Sequence, residues 1–162
     1  MASGLGRMGA AGDGAASDGG RRAGPAAARR AGARLAATPE REPDIVCELS
    51  TLPQQALLYR QCGDFNPLHA DPDVARAAGF ERPILHGLCT FAVAGHALLR
   101  TLCDYDPARL TELQARFSAP VYPGETLRTE IWREAGAVAF RTLAMERNLV
   151  VLSHGRAQIG AV

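Results

Sequence analysis

Asp64 and His69 lie in the run GDFNPLH at 63–69, a carboxylate and an imidazole joined through Asn66 and Pro67. Pro67 fixes its own φ and restricts Asn66, so the connection is stiff. A stiff turn that aims an acid and an imidazole at one point can orient a water, accept its proton and later return one. The same residues also fit an ordinary connector, with Asp64 capping loop backbone and His69 a hydrogen-bonded core histidine. A second run, RPILHGL at 82–88, puts Gly87 at the start of an apolar stretch. The first N–H groups of a helix beginning there have no internal partners and carry the positive end of its dipole. Because Gly87 has no side chain, a ligand carbonyl can approach those groups as in an oxyanion site. A plain helix start fits these residues as well.

Other chemistries find less support. His69, Asp71, Asp73 and His86 are neighbours in sequence, but Cys47, Cys62, Cys89 and Cys103 do not join them at zinc-like spacing. No H-E-x-x-H motif occurs either, so no metal site is expected. There is no P-loop, dinucleotide glycine fingerprint or G-x-S-x-G nucleophile motif. His96 falls in the apolar stretch and reads as a core or interface residue; His154 reads as a surface position of the last strand. The four cysteines form no C-x-x-C pair, so reduced thiols in a cytoplasmic protein are expected.

The elements that position these residues begin after a change of composition. Residues 1–40 hold 13 Ala and 9 Gly, and no aromatic, Val or Ile occurs before Ile45. Such a segment buries too little apolar area to offset its ordering entropy, so 1–43 is expected to be a disordered tail and 44–162 the folded domain. The basic residues are all Arg, 18 against 17 acids, and a net charge of +1 argues against a nucleic-acid binder. No apolar run reaches the roughly 18 residues a membrane-spanning helix needs.

Within the domain, DIVCELS at 44–50 reads as a strand. Thr51 and Gln54 fit a capping box opening a helix that runs through Tyr59 and stops at Gly63. Asp71 and Pro72 open a second short helix ending at Gly79. Residues 88–103 (LCTFAVAGHALLRTLC) are apolar nearly all round, the pattern of a buried helix. The final third, punctuated by Pro123-Gly124, Gly136 and Asn148, reads as a meander of about four antiparallel strands. In 127–134, Leu127, Thr129 and Ile131 share one face and Arg128 and Glu130 the other, with Trp132 an exception. One greasy helix and one long antiparallel sheet give an α+β fold with the sheet curled around the helix, leaving an exposed sheet edge that favours dimerisation.

GDFNPLH at 63–69, ADPDVARAAGFERPILHGLCTFA at 70–92 and RFSAPVYPGETL at 116–127 resemble the MaoC-like, (R)-specific enoyl-CoA hydratase family. The resemblance covers 44–162 and implies a hot-dog fold. It also implies reversible hydration of a trans-2-enoyl-CoA to a (3R)-3-hydroxyacyl-CoA with no cofactor. By it, Asp64 and His69 match the catalytic pair and Asn66 the residue supporting their loop. Gly87 matches the glycine whose N–H receives the thioester carbonyl, and Phe117 a position touching the acyl-thioester. A dehydratase acting on acyl-carrier-protein thioesters would use the same chemistry, and a non-catalytic acyl-thioester-binding subunit the same fold. The match is to the catalytic hot-dog of two-domain hydratases, where a first hot-dog completes the acyl pocket. Residues 1–43 cannot form such a unit, so a homodimer or pairing with a second hot-dog is implied.

Overall fold

The computed structural model describes residues 37–160, so the expected disorder of the tail falls, up to residue 36, outside the described residues. Five antiparallel strands form one sheet in the order β1-β3-β4-β5-β2. They are β1 (Ile45–Ser50), β2 (Leu110–Phe117), β3 (Thr126–Glu134), β4 (Ala137–Ala144) and β5 (Leu149–Ile159). Three helices, α1 (Gln55–Tyr59), α2 (Pro72–Ala77) and α3 (Gly87–Leu102), lie between β1 and β2. This is the hot-dog arrangement, a sheet wrapped on a central helix.

The expected meander holds for β3, β4 and β5, which turn at Gly136 and Asn148. It fails for β2, which pairs with β5 at the far edge rather than with β3. The physical reason is the link at 118–125: Pro120 and Pro123 cannot join a strand ladder. Its remaining backbone is tied elsewhere, Ser118 donating to the Val151 carbonyl and the Val121 carbonyl accepting from Leu85.

The sheet curls through a bulge in β5. Between Arg156 and Ser153, β5 has one residue more than either neighbouring strand, and His154 takes a left-handed φ of 54°. An extra residue bends a strand and sharpens its twist. Against the concave face, Ala94 and Leu98 of α3 pack on Ile131, Phe140 and Leu152, while Cys89 joins Leu85, Val121, Leu127 and Val151.

α3 is buried on its sheet side only. Leu88, Ala92, His96 and Arg100, four residues apart on one stripe, are exposed. Trp132 points away from the helix, opposite Ile131, yet is fully buried. Its Nε1 donates to the Arg41 carbonyl at 2.8 Å, and the Arg141 guanidinium carbon lies 5.4 Å from the ring centroid. The chain ahead of β1 therefore covers the ring, which is why the alternation of β3 breaks there.

The capping box at Thr51 and Gln54 is not formed. The Thr51 hydroxyl donates to the Glu125 carbonyl at 2.8 Å and accepts from the Gly124 N–H at 2.9 Å. It fastens the start of α1 to the 118–125 link, and Gln54 makes no capping bond. Buried Glu125 holds the same corner, accepting from the Tyr122 N–H and from Arg147, both at 2.8 Å.

Candidate active site

The loop at 63–69 leaves α1 through a short 3-10 turn, Arg60–Cys62, closed by Gly63 at φ 101°, a value that favours glycine. Asp64 follows at the surface, and its Oδ1 accepts from the Asn66 N–H at 3.2 Å. The Asn66 Oδ1 in turn accepts from the Leu68 N–H at 3.0 Å, capping the 3-10 turn Pro67–His69. The Asn66 carbonyl accepts from Arg60 at 3.1 Å. Asn66 thus spends its side-chain oxygen on the loop that carries the other two residues.

His69 is buried, and its Nδ1 lies 2.8 Å from the Ile84 carbonyl. A carbonyl only accepts, so Nδ1 carries the proton and the neutral ring keeps its lone pair on Nε2. Asp64, His69 and His86 each offer one ligand or proton-transfer atom, all within 4.8 Å of one another. Asp71 and Asp73 do not join this group. Asp71 caps α2 through the Asp73 and Val74 N–H groups, and Asp73 pairs with Arg76.

Gly87 is the first residue of α3, whose start has no side-chain cap. The starts of α2 and of the turn at Pro67–His69 are both capped by side chains. The leading N–H groups of α3 thus have no side-chain cap and stand at the positive end of the helix dipole. A Cβ built on Gly87 would lie 3.3 Å from the Phe117 ring, so glycine keeps this approach open.

A cavity of about 500 Å³ is lined by Tyr59, Asp64, His86, Gly87, Leu88 and Phe117, among others. Leu88 and Phe117 are 64 % and 52 % exposed, so the cavity offers apolar walls beside Asp64 and the helix start. His69 faces a neighbouring cavity of about 180 Å³ lined by Pro53, Leu57, Arg82 and Pro83, and reaches the first through Asp64 and His86. Of the residues read from sequence, Asp64, Gly87 and Phe117 share one cavity, His69 abuts it and Asn66 braces the loop.

His86 is the residue the sequence reading placed only among possible metal ligands. It is 1 % exposed and stacks on His69, with ring centroids 3.7 Å apart and planes 26° from parallel. Its Nε2 lies 3.2 Å from the Asp64 carbonyl. Burial lowers its pKa from the ordinary 6.5, partly opposed by that bond. The signal in the sequence was its place directly before Gly87. The three ligand atoms could hold a cation, but each histidine has a nitrogen bonded to a carbonyl and their rings stack, an arrangement suited to proton handling at the cavity.

Residues 34–154 match the family described as MaoC like domain. Over 115 residues the chain is 51 % identical to "Enoyl-CoA hydratase 2, peroxisomal" of Arabidopsis thaliana, covering 71 % of this chain and 37 % of that protein. Over 106 residues it is 54 % identical to "3-hydroxyacyl-thioester dehydratase Y" of Mycobacterium tuberculosis, covering 64 % of this chain and 37 % of that protein. The crystal structure of a MaoC-like dehydratase from Phytophthora Capsici superposes with a TM-score of 0.74 at 44 % identity, covering 76 % of this chain and 42 % of that one. The chain thus spans little more than a third of the length of these two named relatives.

Proposed function

As this chain belongs to the MaoC-like domain family, we propose that it is an (R)-specific enoyl-CoA hydratase, adding water reversibly to a trans-2-enoyl-CoA to give a (3R)-3-hydroxyacyl-CoA. The observation that carries this reading is the gathering of Asp64 and His69 within 4.8 Å beside a cavity floored by the uncapped start of α3. The hydratase name of the Arabidopsis relative supports it.

The thioester carbonyl accepts from the Gly87 N–H, and the α3 dipole stabilises the negative charge that builds on that oxygen as C3 is attacked. Leu88 and Phe117 set apolar surface beside this position. Asp64 and His69 hold one water. The pair takes a proton from it as its oxygen bonds to C3, and delivers a proton to C2 on the same face. His69 suits this exchange because its Nδ1–H is anchored on the Ile84 carbonyl, so the lone pair that takes up a proton is on Nε2. The thioester itself acidifies C2, so this chemistry calls on no metal or organic cofactor.

The mycobacterial relative's name favours a second reading, in which the same atoms remove water from a (3R)-3-hydroxyacyl thioester carried on a protein. The compartment we infer is the cytoplasm, which suits four free thiols. Among the described residues, no helix is long and apolar enough to cross a membrane.

An ultraviolet assay of crotonyl-CoA loss, with chiral analysis of the product, tests the proposal. Wild-type protein should form the 3R alcohol. Asp64→Asn and His69→Gln should each lose roughly 10²–10⁴-fold in kcat, the range for a general acid–base group, with unchanged far-ultraviolet circular dichroism. Activity only on carrier-protein thioesters would favour the second reading. An inert wild-type chain that still binds acyl thioester would make this a non-catalytic subunit.

A further inference from the structure

We propose that His86 is a positioning residue that locks Asp64, His69 and the Gly87 amide into one unit, holding its own imidazole neutral with the proton on Nε2. The inference rests on the hydratase reading of the site and assigns a role to a side chain that reading leaves idle.

Three contacts converge on this residue. Its Nε2 lies 3.2 Å from the Asp64 carbonyl, which can only accept, so Nε2–H donates. Its ring backs the His69 ring at 3.7 Å. Its backbone is the N-cap of α3, and its carbonyl accepts from the Thr90 N–H at 3.1 Å, directly before Gly87. Any movement of the ring therefore moves the acid loop, the imidazole or the helix start relative to the others. Misplacement of about 1 Å in such a constellation costs about 100-fold in rate.

The tautomer follows from the same bonds. With the proton on Nε2, Nδ1 holds a lone pair, and this atom is fully buried with no partner. A buried nitrogen left unsatisfied costs stability, which an apolar ring of similar size would avoid. Keeping a histidine there is explained by its one donated bond, to Asp64. The groups facing it are Tyr59, with ring centroids 4.7 Å apart, together with His69, Asp64 and Arg60. A second proton on His86 would set a cation against the His69 ring, in competition with the proton His69 must carry. A neutral His86 leaves proton exchange to Asp64 and His69.

The full chain with His86→Phe and with His86→Gln tests this. Phenylalanine keeps the stacked ring and loses the donor; glutamine loses the stack and keeps an N–H for the Asp64 carbonyl. We expect His86→Phe to lower kcat on crotonyl-CoA about 10-fold or more while KM stays within about twofold, because alignment and not binding is lost. His86→Gln should recover part of that loss. In the wild type, ¹⁵N spectra should show His86 neutral and Nε2-protonated at pH 6.5, where an ordinary histidine is half charged. A Phe variant with wild-type kcat, a Gln variant no better than a folded Phe variant, or a His86 imidazolium at pH 6.5 would each overturn the proposal. If the Phe variant does not fold, the Gln variant decides by its kcat: a value close to wild type supports the donor role, and loss as severe as that of Asp64→Asn overturns it. An inactive wild type whose spectra show the expected tautomer would sink the hydratase reading and leave the lock standing.

Discussion

A histidine forced to stay neutral ties the stability of the fold to pH, and the direction follows from burial. The pKa of His86 lies below 6.5 in the folded chain, and desolvation is the main cause. The unfolded chain takes up that proton near pH 6.5, before the folded chain does. Stability therefore declines as pH falls below about 6.5, until the folded His86 also titrates. Melting temperatures at pH 7.5 and 5.5 should show this decline in the wild type and a smaller one in His86→Gln; equal declines would show that His86 does not contribute. At this scale the site was largely legible. The stiffness around Pro67 and the glycine at a helix start are local properties, readable from neighbours in the chain. The role of His86 was not, because it depends on the packing of 84–87 against 63–69. Thr51 misled for the same reason: its hydroxyl had a local partner on paper and a distant one, the Glu125 carbonyl, in the fold.

Among the elements, β5 carries the tightest constraint. A Cβ on Gly155 would lie 2.4 Å from the Phe140 carbonyl oxygen and 2.6 Å from its ring. Gly155→Ala must push strands apart beside the bulge, and should cost about 1–3 kcal/mol, the usual range for overpacking. Urea unfolding should show a lower midpoint with an unchanged slope; an unshifted midpoint would mean that the strands give way freely. The helices, strands and turns were legible because apolar spacing, glycine and proline report them locally. Strand order was not. Nothing in the residues of β2 states that β5 and not β3 lies beside it, since that choice is made by the proline-bearing link and the bonds that hold it. Trp132 broke the β3 alternation because its cover comes from outside the sheet, at Arg41.

Among the described residues, the sheet ends in two edge strands, β1 and β2, the latter ending at Phe117, and α3 exposes the stripe of Leu88, Ala92, His96 and Arg100. Phe65, 64 % exposed, adds to the apolar surface near the cavity. An unpaired strand edge, together with an exposed helix stripe that carries Leu88 and Ala92, invites another copy of the same unit. We propose a homodimer. Light scattering should give at least twice the monomer mass, and Ala92→Glu should reduce it to the monomer without altering circular dichroism. An active wild-type monomer would overturn this, and a monomer that gains activity only with a separate hot-dog chain would identify that chain as the partner.

Trp132 is the only tryptophan in the sequence. Its indole is sealed from water and its N–H is held by the backbone just ahead of the first strand. Its fluorescence is therefore a built-in optical gauge, blue while Arg41 stays seated and red-shifted and quenchable once that stretch is trimmed or peels away. Attachment of the entry segment can be followed in this protein with no added dye.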